Sequence, residues 1–189
     1  LKTSHACART NEPNKREWMQ GRRGVTLLLR ILQSNDHATL FSGCQLITVL
    51  CRFDDFRNTQ GIVTSSAQDH VLEFGRQGIV PLLQFQVERN LLETDIDVDL
   101  VAAVLSAQRV MCIHDDIVQS MVAVGVISTI KQVFAVGDGN IPLTTATLGL
   151  VRNLCANDEV KCTLCVGEKN VLKEVLGSLF LIITKEKWL

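Results

Sequence analysis

The sequence predicts an all-α fold, an α-solenoid of stacked three-helix repeats, and three observations carry that expectation. Cys51, Cys112 and Cys155 each close an apolar run. Each is followed by an acidic pair and an apolar residue: Asp54-Asp55-Phe56, Asp115-Asp116-Ile117 and Asp158-Glu159-Val160. A second series, Gly24, Gly78, Gly125 and Asn170, opens the helix that follows, at steps of 54, 47 and 45 residues. Between these markers apolar residues recur at helical spacing, as one buried stripe requires. Such steps lie near the roughly 40–47-residue period of helical arrays, whose units bury a continuous core only by stacking. An apolar content of 47% in 189 residues supplies that core.

Taken in order, residues 2–9 read as the last turns of a helix. Asn11-Glu12-Pro13-Asn14 breaks it, with Pro13 or Asn14 suited to start the next helix, and 15–20 form a short first helix. Gly24 opens the second helix, GVTLLLRILQ, whose stripe is Val25, Leu28, Leu29 and Leu32. After the Ser34-Asn35-Asp36 loop a third helix is expected over 40–53. Residues 57–70, RNTQGIVTSSAQDH, are rich in Ser, Thr, Gln and Gly and read as an insertion loop. Helices over 71–74, 78–88 and 98–113 follow, with Pro81 tolerated in a first turn. The next unit has helices at 116–123, 125–136 and 143–156, and the last at 158–166 and 170–180. Glycine and asparagine at the bends read as positions of positive φ. The whole is expected to be one array over 1–189, with units at roughly 11–53, 54–113, 114–156 and 157–189. It reads as truncated at both ends, since it lacks an initiator Met and stops in GSLFLIITKEKWL where another helix is due.

The segments GVTLLLRIL, GIVPLLQF, GVISTIKQVF and NVLKEVL resemble the second helix of the armadillo repeat. ATLGLVRNLCANDEVK resembles its third helix and the turn into the next unit. The likeness extends to about Leu179, although an ordinary armadillo repeat has no insertion after FDDFR. It implies a right-handed superhelix of armadillo repeats whose third helices line a concave wall. It also implies a non-enzymatic scaffold that binds extended peptides along that wall.

Composition narrows the partners. A formal net charge of −1 argues against a nucleic-acid footprint, which shows as a basic face. No run reaches the roughly 18 apolar residues of a membrane span, and LKTSHACART contains no signal-type apolar core. Seven scattered cysteines read as reduced thiols, which places the chain in the cytoplasm, the nucleus or both. No Gly-rich phosphate loop, nucleophile elbow or histidine pair at ligand spacing is present. No catalytic residue, cofactor, metal or small-molecule substrate is therefore expected, and the partner is a protein or peptide.

On the third helices Val49, Val110 and Asn153 align; one residue earlier come Thr48, Arg109 and Arg152, and four earlier Gln45, Ser106 and Gly149. The opposite faces carry Leu46, Leu50, Ala103, Ala107, Met111, Ala146, Leu150 and Leu154 for the core. Gln45, Arg52, Ser106, Arg109, Arg152 and Asn153 are the expected partner-binding wall. Arg109 and Arg152 form a short basic ladder able to fork onto carboxylates of an acidic or amide-rich extended segment. The competing reading pairs both arginines with acids of their own chain. Gln108 falls where the pattern wants an apolar side chain, which leaves this register open by one residue. The resemblance adds that nuclear-signal readers of the family carry repeated Trp and Asn here, and only Asn153 fits.

A thiol or metal protein using Cys155, Cys162 and Cys165 is the alternative. Structural zinc needs four ligands, and one buried stripe accounts for Cys162 and Cys165 at i and i+3. A scaffold buries these thiols, whereas a redox or metal site exposes or converges them. His114-Asp115-Asp116 reads as carboxylate capping of a helix N-terminus, because the acidic pair recurs.

Overall fold

The computed structural model describes residues 8, 11–20, 23–53, 65–137, 140–166 and 173. Its helices are α1 (Glu12–Met19), α2 (Arg23–Leu32), α3 (His37–Leu50), α4 (Ala67–Arg76), α5 (Ile79–Leu91), α6 (Val98–Met111), α7 (Asp115–Ala123), α8 (Val126–Val136), α9 (Ile141–Leu154) and α10 (Asp158–Val166). No strand occurs among the described residues, so the fold is all-α. The expected segments 2–9 and 170–180 lie outside them apart from single residues, as do Asp54-Asp55 and Asn170 altogether.

Side-chain caps decide where the helices begin. Asp36 Oδ2 accepts the Thr39 amide at 2.9 Å, Asp97 Oδ1 accepts that of Leu100 at 2.9 Å, and Asn140 Oδ1 accepts that of Leu143 at 2.9 Å. These caps start α3 and α9 ahead of the apolar runs, earlier than expected. Asn11 likewise accepts the Asn14 amide at 3.1 Å, so α1 starts at Glu12 with Pro13 in its first turn, slightly ahead of the expected start at Pro13 or Asn14. The insertion is shorter than expected too. Residues 67–70 are helical because buried Ala67, His70, Val71 and Phe74 form one face of α4.

Two expectations about local chemistry are corrected. Gly78 and Gly125 adopt positive φ, at 76° and 97°, and open α5 and α8 as expected. Gly24 is not a positive-φ position; a Cβ there would collide with the carbonyl and ring of Trp18, so close approach of α1 to α2 selects glycine. The two described acidic pairs, Asp115-Asp116 and Asp158-Glu159, also do not cap. His114 Nδ1 accepts the Asp116 amide at 3.3 Å and Asn157 Oδ1 accepts the Val160 amide at 3.1 Å. The residue before the helix, in extended conformation, is the one whose side chain reaches the orphan N–H groups. Asp115, Asp116, Asp158 and Glu159 sit in the first turns, where they favour the dipole.

The helices fall into successive triads that pack like on like. α3 lies against α6 and α6 against α9, the two most extensive pairings; α2 meets α5, α5 meets α8, and α4 meets α7. The expected third-helix stripes are buried at Leu46, Leu50, Ala107, Met111, Ala146, Leu150 and Leu154, with Ala103 partly so. On α2 Ile31 is buried and Leu29 only half-buried, a small shift of the expected stripe.

A polar cluster closes the first junction. Lys15 Nζ, nearly inaccessible, donates to the Arg52 carbonyl at 3.0 Å, and the Ser66 amide donates to Glu12 Oε1 at 2.5 Å. His70 Nδ1 donates to the Leu50 carbonyl at 2.9 Å, which requires the Nδ1–H tautomer. Burial holds the His70 imidazole below its ordinary 6.5, outweighing the Leu50 carbonyl and Glu12. Burial also pushes the Glu12 carboxyl up, but hydrogen bonds from Ser66 and Arg16 and the Lys15 charge bring it net below its ordinary 4.5.

Both shifts favour unfolding as protons are added, because the unfolded chain binds protons that the native site refuses. Stability is therefore expected to fall as pH drops below 6.5 through His70, and again below 4.5 through Glu12. Urea melts of wild type and His70→Gln across pH check this: the variant should show a shallower slope in the upper window, and an unchanged slope would refute the assignment. Gly78→Ala and Gly125→Ala should each destabilise by about 1–2 kcal/mol, the strain of a left-handed residue with a Cβ. Wild-type melting midpoints for both would contradict the backbone argument.

Candidate functional site

The outward side of the stacked third helices is where the sequence-derived site residues meet. Gln45 on α3, with Arg109 on α6 and Arg152 on α9, is exposed, while Ser106 and Asn153 are half-buried. Arg52 is a correction: α3 ends at Leu50 and Arg52 lies in the bend beyond the C-cap Cys51, so it does not stand on the helical wall. The register of α6 is the expected one. Gln108 is fully buried and turns inward, donating from Nε2 to Gln84 Oε1 at 3.3 Å, and Gln84 in turn donates to Thr129 Oγ1. A buried amide partner on α5, not a slip of register, accounts for the polar residue in the apolar stripe.

The structure brings Arg109 and Asn153 together at the α6–α9 junction, with Arg152 the residue before Asn153 on α9. Asn153 Nδ2 donates to the Arg109 carbonyl at 3.0 Å, tying α9 to the end of α6. The Arg109 side chain reaches across to α9 and lies over Gly149. A Cβ at that glycine would come within 2.7 Å of Nη1 and 2.8 Å of Cδ. Gly149 is the residue that the sequence reading did not single out as functional, although it stands in the same column as Gln45 and Ser106.

Ion pairs among the described residues join Arg16 to Glu12, Arg76 to Glu73 and Lys161 to Asp158, and the rings of His37 and His114 lie within 4 Å of carboxylates. Neither Arg109 nor Arg152 takes part in one. Each belongs to the last turn of its helix, where a cation suits the dipole. Arg109, however, extends over Gly149, more than a turn before the end of α9, so the terminal carbonyls of that helix do not account for its path.

Beside Asn153 a cleft of about 330 Å³ opens between the α6–α7 and α9–α10 turns, with Ile113, Val118, His114 and Asp115 in its walls. Asn157 Nδ2 donates to Asp115 Oδ1 at 2.9 Å across it. His114 is committed there as a cap. Cys112 is no nucleophile, since burial pushes its thiol up to about 12 and Sγ donates to the Gln108 carbonyl at 3.4 Å.

The expected burial of Cys162 is overturned. α10 buries Val160 and Leu164 at i and i+4, which turns Cys162 out to solvent. Cys155 is half-buried at the end of α9, and the side chain of Cys165 lies outside the described residues. Among the described residues no group of three or more His, Cys, Asp or Glu side chains converges as a metal site. No single described helix is long and apolar enough to cross a membrane.

Burial raises Cys44 to about 12 and Cys51 further still. Under native conditions an aromatic disulfide reagent should therefore modify Cys162 rapidly and leave Cys44, Cys51 and Cys112 unmodified until denaturant is added. Fast native labelling of Cys112 would contradict its placement. No protein-family model, curated protein or solved structure matches this chain.

Proposed function

We propose that the chain is an α-solenoid of the armadillo type and works as a protein-interaction scaffold, with the outward face of α3, α6 and α9 as its binding wall. The observation that carries this reading is a pair of exposed arginines on successive third helices without a carboxylate partner among the described residues. Like-on-like packing of the triads supports the array, and the exposed polar side chains sit opposite its buried stripes.

Such a wall suits an extended, acidic segment of a partner protein. Guanidinium forks pair with carboxylates bidentately, and Gln45 and Ser106 offer amide and hydroxyl groups to a peptide backbone. Each charge-assisted contact would contribute on the order of 1.5–3 kcal/mol. The cysteines described are free, buried at Cys44 and Cys51 and exposed at Cys162, and free thiols fit a reducing compartment, cytoplasm or nucleus.

Comparative pull-down with wild type and Arg109→Glu/Arg152→Glu tests the wall, once circular dichroism has shown equal helicity. The double variant should lose captured partners that wild type retains at physiological salt. Identical capture by both proteins would remove the arginine pair from the function.

A further inference from the structure

Resting on that reading of the wall, we infer that Arg109, Gly149 and Arg152 form one anion clamp, shaped for a single phosphorylated side chain of the partner polypeptide. The geometry begins with Gly149. It leaves a gap on α9 into which the Arg109 stem settles, since any Cβ would press on Nη1 and Cδ. A guanidinium rooted in α6 is thus laid on the surface of α9. Arg152 stands three residues after Gly149, and positions i and i+3 on a helix have Cβ sites roughly 5–6 Å apart. Helical side chains lean toward the N-terminus, so Arg152 inclines toward the place Arg109 already covers. Two cations from successive helices share one turn of one helix.

Two neighbouring guanidinium groups repel unless an anion lies between them, and no ion pair of the described residues supplies one. The class of anion follows from charge and shape. A carboxylate carries a single charge, which one bidentate guanidinium already matches. A phosphoryl group carries about −1.5 to −2 charges and three acceptor oxygens, enough for two. Asn153, whose amide is held on the Arg109 carbonyl at 3.0 Å, keeps the two helices at the spacing the clamp needs. Gly149 is accordingly a positioning residue: it touches no ligand and acts through Arg109.

The test is NMR titration of the isotope-labelled full chain with N-acetyl-O-phosphoserine methylamide and, separately, N-acetylglutamate methylamide. The Nε–H signals of Arg109 and Arg152 and the Gly149 amide report binding. The phosphoserine compound is expected to shift all three and to half-saturate at roughly one-tenth of the glutamate concentration. Gly149→Ala, which keeps both arginines and favours the helix, should erase that preference, and Arg152→Gln should do the same. Equal half-saturation for the two compounds, or a preference that survives Gly149→Ala and Arg152→Gln, would overturn the clamp. Loss of the phosphoserine preference alongside persistent, arginine-dependent capture of acidic partners would sink this inference alone and leave the scaffold reading intact.

Discussion

The arrangement depends on one constraint: a helix with an apolar stripe cannot bury it alone, and each third helix buries its stripe on its counterparts. α6 lies between α3 and α9 and is fully sealed at Leu100, Val101, Val104, Leu105, Ala107 and Met111. Each Leu, Val or Met side chain so buried contributes about 1.5–3 kcal/mol, whereas a neutral hydrogen bond contributes about 0.5–1.5. Apolar contact therefore sets that the triads stack, and the polar contacts between them set only how they align.

Those polar contacts share a pattern. The last carbonyls of a helix have no intrahelical donor, and inside a stack they are cut off from water. Side chains of another triad serve them here. Gln86 donates to Leu32, His70 to Leu50 and Asn153 to Arg109, while Lys15 reaches the Arg52 carbonyl just past α3 within its own triad. This explains polar and even charged residues at buried positions of otherwise apolar faces, Lys15 and His70 among them. Lys15, His70 and Gln86 are each held by a carbonyl at or just past a helix end.

Once apolar faces and helix ends are accounted for, few groups remain for function. Three of the described thiols are spent on packing and held protonated by burial. The histidine of the α6–α7 turn is spent on a cap. Arg109 and Arg152 stay outward in the last turns of α6 and α9, and the approach of α6 to α9 at Gly149 decides where the Arg109 charge lies.

The all-α class, the order of the helices and most of their buried stripes were legible in the sequence, because periodicity and bend glycines are local signals. Gly78 and Gly125 announce themselves by the φ they need, and Gln108 stayed in register despite its polarity. The starts of α3 and α9 are not marked by the apolar run, because the Asx cap before it sets them. The shortened insertion, the outward turn of Cys162 and the loss of Arg52 from the wall were not legible either. Each depends on which face a neighbouring helix covers, and that is a property of packing across 40–60 residues of chain. The same holds for Gly24 and Gly149. In sequence both are merely glycines, and only the helix lying against each shows that one makes room for Trp18 and the other for Arg109.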